Sequence, residues 1–119
     1  MRLELAKYLF DIQQAAGALS DFVSGSGWAE YERDAMLRAA VERQFEIIGE
    51  ALSQLARRDA LLASRIDGYQ HIIAFRNILI HGYADVDNRL VWDIVETRVP
   101  MLRSQVDFLL KSATPPDHP

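Results

Sequence analysis

The sequence predicts an all-α fold, an up-and-down bundle of four main helices plus one short helix, on three observations. Apolar residues recur at alternating spacings of three and four through most of the chain, which is the period of an amphipathic helix. No stretch alternates apolar and polar residues for long enough to make a half-buried strand. The breaks between the periodic stretches carry glycine, serine and aspartate, residues that end one helix or cap the next.

In the first helix Leu5, Leu9, Ile12, Ala16, Leu19 and Val23 form one stripe, and SGSG (residues 24–27) ends it. A long second helix is expected from about Ala29 to Arg57. Its stripe is Leu37, Val41, Gln44, Ile48, Leu52 and Leu55, with Phe45 beside it. Gly49 sits in the middle of this helix at a cost of about 1 kcal/mol against alanine, which points to a neighbouring helix packed close there. A short helical piece follows from Asp59 to Ile66. Asp67 is the expected N-cap of the next helix, which runs to His81 and ends at Gly82. YADVD reads as a short turn. Asp87 then caps a last long helix through Leu110, with Val91, Val95, Val99, Leu102, Val106 and Leu109 inward. Pro100 falls inside that pattern and is expected to kink the helix rather than end it.

The 119 residues suit one helical domain, placed at 1–111, with 112–119 as a disordered C-terminal tail. No run of about 18 apolar residues supports a membrane span. The first residues, MRLELAKYLFDIQQ, do not read as a signal peptide. Cysteine is absent, so disulfides, zinc–thiolate sites and thiol nucleophiles are excluded together, in keeping with a cytoplasmic protein. Thirteen basic residues against 17 acidic ones give a net charge of −4, the wrong sign for a protein that coats nucleic acid nonspecifically. An enzyme that meets RNA at one local basic site remains compatible with it. Arg57, Arg58, Arg65 and His71 are candidates for such a patch, and equally for an ordinary solvated face. His71 has no metal-ligand spacing to His81, and no metal or cofactor is expected. Trp28 and Trp92 read as packing residues rather than as platforms for bases.

The stretch RNILIHGY, residues 76–83, is where packing does not account for the residue choice. At about 100° per residue, Ile72, Ile73, Phe75, Leu79 and Ile80 cover one apolar arc, and Arg76 falls inside it. A cation in such a place needs a carboxylate, a phosphate or a subunit boundary. Glu46 and Glu50 on the long helix are the candidate carboxylates. Arg76 and His81 are about 140° apart on an ideal helix. A left-handed cap at Gly82 is expected to turn the backbone and let the imidazole swing toward the arginine. Arginine with histidine suits cleavage of RNA through its own 2′-hydroxyl. Histidine, with an ordinary pKa of about 6.5, can take and return a proton, and arginine's planar fork matches phosphoryl oxygens. The plainer alternative is structural: His81 closes the helix, and Tyr83 packs at the core edge.

RNILIHGY followed by VDNRLVWDIV resembles the HepT-like branch of the HEPN superfamily, the toxin halves of HEPN/MNT toxin–antitoxin pairs. RDAMLRAAVERQFEIIGEAL (residues 33–52) is similar to the long second helix of that family, and the similarity extends over about Leu3 to Leu110. One departure is visible: relatives often carry a Pro-Trp pair where this chain has Ile66-Asp67-Gly68-Tyr69. The resemblance implies a homodimeric, metal-independent ribonuclease with a HEPN-like bundle, whose Arg-x4-6-His motifs meet at the subunit interface. Arg76 and His81 would be its catalytic pair, and Asn77 the polar residue supporting the site. Tyr83 would be the residue that a cognate MNT-type nucleotidyltransferase antitoxin adenylylates to block cleavage. Two further readings compete with this one. The chain can be a non-catalytic accessory subunit of a minimal nucleotidyltransferase, binding substrate or nucleotide, or a dimeric scaffold.

Overall fold

The computed structural model describes residues 2–113, and every regular element in that span is helical. The order is α1 (Leu3–Val23), α2 (Trp28–Arg33), α3 (Ala35–Arg58), α4 (Ala60–Ala63), α5 (Tyr69–His81), α6 (Asn88–Thr97) and α7 (Val99–Ala113), with a 3-10 turn at Tyr83–Asp85. Helix α1 packs along α3 on one side and α7 on the other, and α3 carries α5 on its far side. The short α2 bridges α3 and α6, and α6 packs on α7. This is the all-α bundle expected from the periodicity.

Its core is built mainly from the stripes read from the sequence, of which Val23, Leu37 and Gln44 are only half-buried. Leu5, Leu9, Ile12, Ala16 and Leu19 of α1 are buried, as are Val41, Phe45, Ile48, Leu52 and Leu55 of α3. So are Val91, Val95, Val99, Leu102, Val106 and Leu109 of α6 and α7. Trp92 is buried against Tyr31 at 5.1 Å between ring centroids, and the Arg89 guanidinium covers the Trp28 ring at 4.9 Å. Both indoles are packing residues. The Tyr31 hydroxyl is buried with no hydrogen-bond partner, and burial, followed by the nearby Glu42 carboxylate, pushes its pKa up.

Several boundaries differ from expectation, each for a local reason. The long second helix is two helices, because Asp34 leaves helical geometry to accept a hydrogen bond from Leu37 N–H at 3.1 Å and so caps α3. Asp59 does the same for α4, accepting from Leu62 N–H at 3.0 Å. Asp67 is not the cap of α5. Its N–H donates to Gln105 Oε1 of α7 at 2.9 Å, and Gly68, at φ 73°, makes the turn into the helix. Only glycine enters that left-handed region readily, and a Cβ there would also overlap the Arg98 guanidinium. Asp87 does cap α6, accepting from Arg89 and Leu90 N–H groups. Pro100 goes beyond a kink: the helix stops at Thr97 and restarts at Val99, with Arg98 between them. Proline has no N–H, and its ring collides with the carbonyl four residues back, so it fits the first turn of a new helix. The interruption is one residue long, and the inward stripe therefore stays in phase. Helix α7 runs to Ala113, two residues into the segment expected to be a tail from 112, and residues 114–119 lie outside those described.

At Gly49 α3 and α5 are in close contact. A Cβ there would overlap the Cβ and Cγ of Arg76, so the side chain of α5 lies directly on the glycine backbone. Gly49→Ala gains about 1 kcal/mol in helix propensity but overpacks a helix contact, which costs about 1–3 kcal/mol. Urea denaturation is expected to show a net loss of stability. A variant more stable than wild type would mean that the two helices do not meet as described.

Candidate active site on helix α5

Helix α5 buries Ile72, Phe75 and Leu79 and leaves Ile78 and Ile80 exposed, so Ile80 is not part of the apolar arc. Phe75 meets Phe45 of α3 edge to face at 5.2 Å. This contact and the Gly49 approach hold α5 against α3 and set the path of Arg76. The Arg76 side chain is only 17% exposed. Its Nη2 donates to Glu50 Oε2 in an ion pair, and its Nη1 donates to Asn77 Oδ1 at 2.7 Å. Its Nε is buried and has no partner. Of the two carboxylates considered from sequence, Glu50 is the partner. Glu46 pairs instead with Arg43 on its own helix at 3.2 Å.

Glu50 is itself held. Gln54, one turn along α3, donates from Nε2 to Glu50 Oε1 at 3.0 Å, and Arg58 donates to Gln54 Oε1. The Gln54 hydrogen bond is the largest influence on the Glu50 carboxyl; with the charge and hydrogen bond of Arg76 it outweighs the opposing desolvation and keeps the group below the ordinary carboxylate value of 4.5. Glu50 is therefore ionised at neutral pH. Gln54 went unnoticed in the sequence, although the four-residue spacing of Glu50, Gln54 and Arg58 signals one ladder on a helix face.

His81 is the last residue of α5 and exposed, and its imidazole makes no hydrogen bond or ion pair with another described residue. Gly82 does not take the left-handed cap. Its φ is −112°, and its N–H donates to Ile78 O at 2.8 Å. The chain continues into the right-handed 3-10 turn at Tyr83–Asp85, so no reversal is needed. Glycine is suited here by space, since a Cβ would lie 3.0 Å from Ile78 O. The expected swing of His81 toward Arg76 is absent for the same reason. Five residues apart on one helix, the two side chains leave at about 140° to each other. One chain thus joins Arg76, Asn77 and Glu50 but leaves His81 apart. Tyr83 opens the 3-10 turn, and its side chain is outside the described residues.

The candidate basic residues do not line one groove. Arg65 lines a groove with Ser104 and Phe108, whereas His71 lines another with Ile94 and Arg98. Arg58 pairs with Glu4 at 3.1 Å and lies over the Tyr8 ring. Among the described residues no group of three or more His, Asp or Glu is arranged to hold a metal ion. No described helix is long and apolar enough to cross a membrane.

A family model described as ribonuclease HepT-like matches residues 12–109. The chain belongs to the HepT-like ribonuclease family. A protein of Methanocaldococcus jannaschii named as a candidate RNase is 32% identical over 106 residues, covering 89% of this chain and 96% of the relative. A second candidate RNase, from Caldanaerobacter subterraneus subsp. tengcongensis, is 32% identical over 87% of this chain and 92% of its own. A probable ribonuclease HepT of Thermococcus cleftensis is 31% identical, covering 87% of this chain and 94% of that one. No solved structure matches. The matches bear out the resemblance and the ribonuclease class read from the sequence.

The sign of the Glu50 effect makes the ion pair testable. A carboxyl with a depressed pKa in the folded state stabilises the fold above its unfolded value and loses that contribution as pH falls through the folded one. Wild type is therefore expected to melt above Glu50→Gln at pH 7, with the gap closing below the ordinary value of 4.5. A gap unchanged down to pH 3 would assign the difference to packing.

Proposed function

We propose that this member of the family is a metal-independent endoribonuclease that acts as a homodimer in the cytoplasm, with Arg76 and His81 as its catalytic residues. The observation that carries this reading is the state of Arg76. A guanidinium lodged over Gly49 has its Nε sealed and its two Nη groups directed to the polar side of the helix, where Asn77 and the half-exposed Glu50 lie. That fork suits two oxygens of a phosphodiester.

In the proposed reaction His81 takes the proton of the 2′-hydroxyl as its oxygen attacks the adjacent phosphorus. Arg76 stabilises the charge gathering on the non-bridging oxygens. The bond to the 5′-oxygen breaks, and a protonated imidazole returns a proton to it. The products are a 2′,3′-cyclic phosphate and a 5′-hydroxyl. Both hydroxyl oxygens need a proton carrier, so a second His81 from the partner subunit completes the scheme.

A dimer is supported by the face that α5 presents beside α6. There a groove of about 330 Å³ lies between α5 and α6, with Ile72, Phe75, Ile78, Leu90 and Ile94 in its walls. Ile78 is 53% and Leu90 44% exposed in the single chain. His81 falls within about 20° of Ala74 on the helix wheel, on the edge of that face. A second copy seated there brings two histidines toward one cleft and supplies what one chain lacks. Tyr83, two residues past His81, is the proposed site of adenylylation by a cognate MNT-type nucleotidyltransferase antitoxin. An AMP group there would add bulk and negative charge where RNA must enter.

Arg76→Ala and His81→Ala are each expected to lose at least about a hundredfold in cleavage of an RNA oligonucleotide in EDTA, while remaining dimeric. Mixing wild type with an excess of His81→Ala is expected to lower the activity of the wild type, because a mixed dimer holds only one of the two His81 side chains the scheme requires. Mixed dimers as active as wild type would mean that one subunit supplies every proton carrier. RNA cleavage by neither wild type nor variants, with nucleotide bound by all of them, would favour the accessory-subunit reading. The acidic balance and the neutralised Arg76 fit that reading. Intact mass after co-expression with the nucleotidyltransferase tests Tyr83: AMP additions on wild type and none on Tyr83→Phe are expected.

A further inference from the structure

Arg76 enters its site by a route that leaves no slack. Its Cβ and Cγ lie on the backbone of Gly49, so the stem of the side chain cannot move toward α3. Its Nε is buried, so the side-on fork made by Nε and its neighbouring Nη is closed to any ligand. Only the end-on fork of Nη1 and Nη2 remains, and each of those nitrogens carries one hydrogen bond, to Asn77 and to Glu50. Asn77 is the adjacent residue on the same helix. Glu50 is the one partner that ties the guanidinium to a different helix, and Gln54 ties Glu50 in turn.

We infer that Glu50 is a positioning residue for the proposed cleavage: it holds the Arg76 fork at the orientation that meets the substrate phosphate, and its negative charge weakens substrate binding as the cost of that hold. The inference rests on the ribonuclease reading above and adds a residue that the Arg-x4-His motif does not contain. Two separable properties of Glu50 are involved. Its oxygen accepts from Nη2 and fixes direction. Its charge lies beside the position of an incoming phosphodiester and repels it, an effect that salt and solvent reduce because the carboxylate is 54% exposed. Gln54 holds the other oxygen of the carboxylate and so keeps it in place beside Arg76.

Three variants of the full-length protein separate the two properties. Glu50→Gln keeps an oxygen within reach of Nη2 and removes the charge. Glu50→Ala removes both, and Glu50→Asp keeps the charge but is one methylene too short. On a short fluorescent RNA, Glu50→Ala and Glu50→Asp are expected to lose about tenfold or more in kcat, the scale on which a displaced catalytic group costs rate. Glu50→Gln is expected to stay within about threefold of wild type in kcat with a lower KM, most clearly at low salt. The Arg76 Nε–H signal in a ¹⁵N NMR spectrum gives a readout independent of activity. Slow solvent exchange is expected in wild type and Glu50→Gln, and fast exchange in Glu50→Ala.

Wild-type kcat and KM in both Glu50→Ala and Glu50→Asp overturn the inference. An equal loss of kcat in Glu50→Gln and Glu50→Ala also overturns it, because the carboxylate would then take part in the chemistry itself. A wild-type protein that cleaves no RNA removes the ribonuclease reading instead. The Nε–H exchange rates then still report whether Glu50 holds Arg76.

Discussion

The contact between Arg76 and Gly49 is the constraint around which this molecule is arranged. A long cationic side chain cannot be threaded between two packed helices unless one of them gives up a side chain, and α3 does so at residue 49. The cost in helix propensity is about 1 kcal/mol, small beside the cost of a buried cation with no partner. The next residue on α3 supplies that partner. Adjacent positions on one helix thus provide the space and the countercharge for a residue on another. Phe45 against Phe75 holds the two helices at the separation that makes both possible.

The other end of α5 obeys a different logic. His81 is exposed, unpaired among the described residues and placed just before a right-handed 3-10 turn. Nothing in the single chain fixes the imidazole, whereas nearly every atom of Arg76 is fixed. A site that is half rigid and half open in one subunit is reasonable if a second subunit completes it. The apolar groove between α5 and α6 has the character of a face made to be covered.

Much of the fold could be read from the sequence because helical periodicity is a local signal. Apart from Val23, Leu37 and Gln44, which are half-buried, the inward stripes of α1, α3, α6 and α7 are buried as their spacing requires, even across the interruption at Arg98. The errors fall at helix ends, where the deciding interactions are few and compete. Asp67 and Asp34 are both good capping residues by type. Asp34 caps α3, whereas Asp67 gives its backbone N–H to Gln105, a residue 38 positions away that no local rule would select.

The sequence by itself determined the helical class, the core stripes, the membership of Arg76 in an apolar arc, and the Arg-x4-His-x-Tyr spacing, because each depends on residue type and helical period alone. Only the tertiary structure decided that Glu50 rather than Glu46 faces Arg76, that Gly49 is open for the arginine stem, and that Gly82 does not turn His81 back. Those outcomes depend on how α3 and α5 rotate against each other, and on what the backbone does after residue 82. A rotation of one residue, about 100° on the wheel, would have exchanged one carboxylate for its neighbours. Helical period is written in a single segment, but that rotation is set by packing between two.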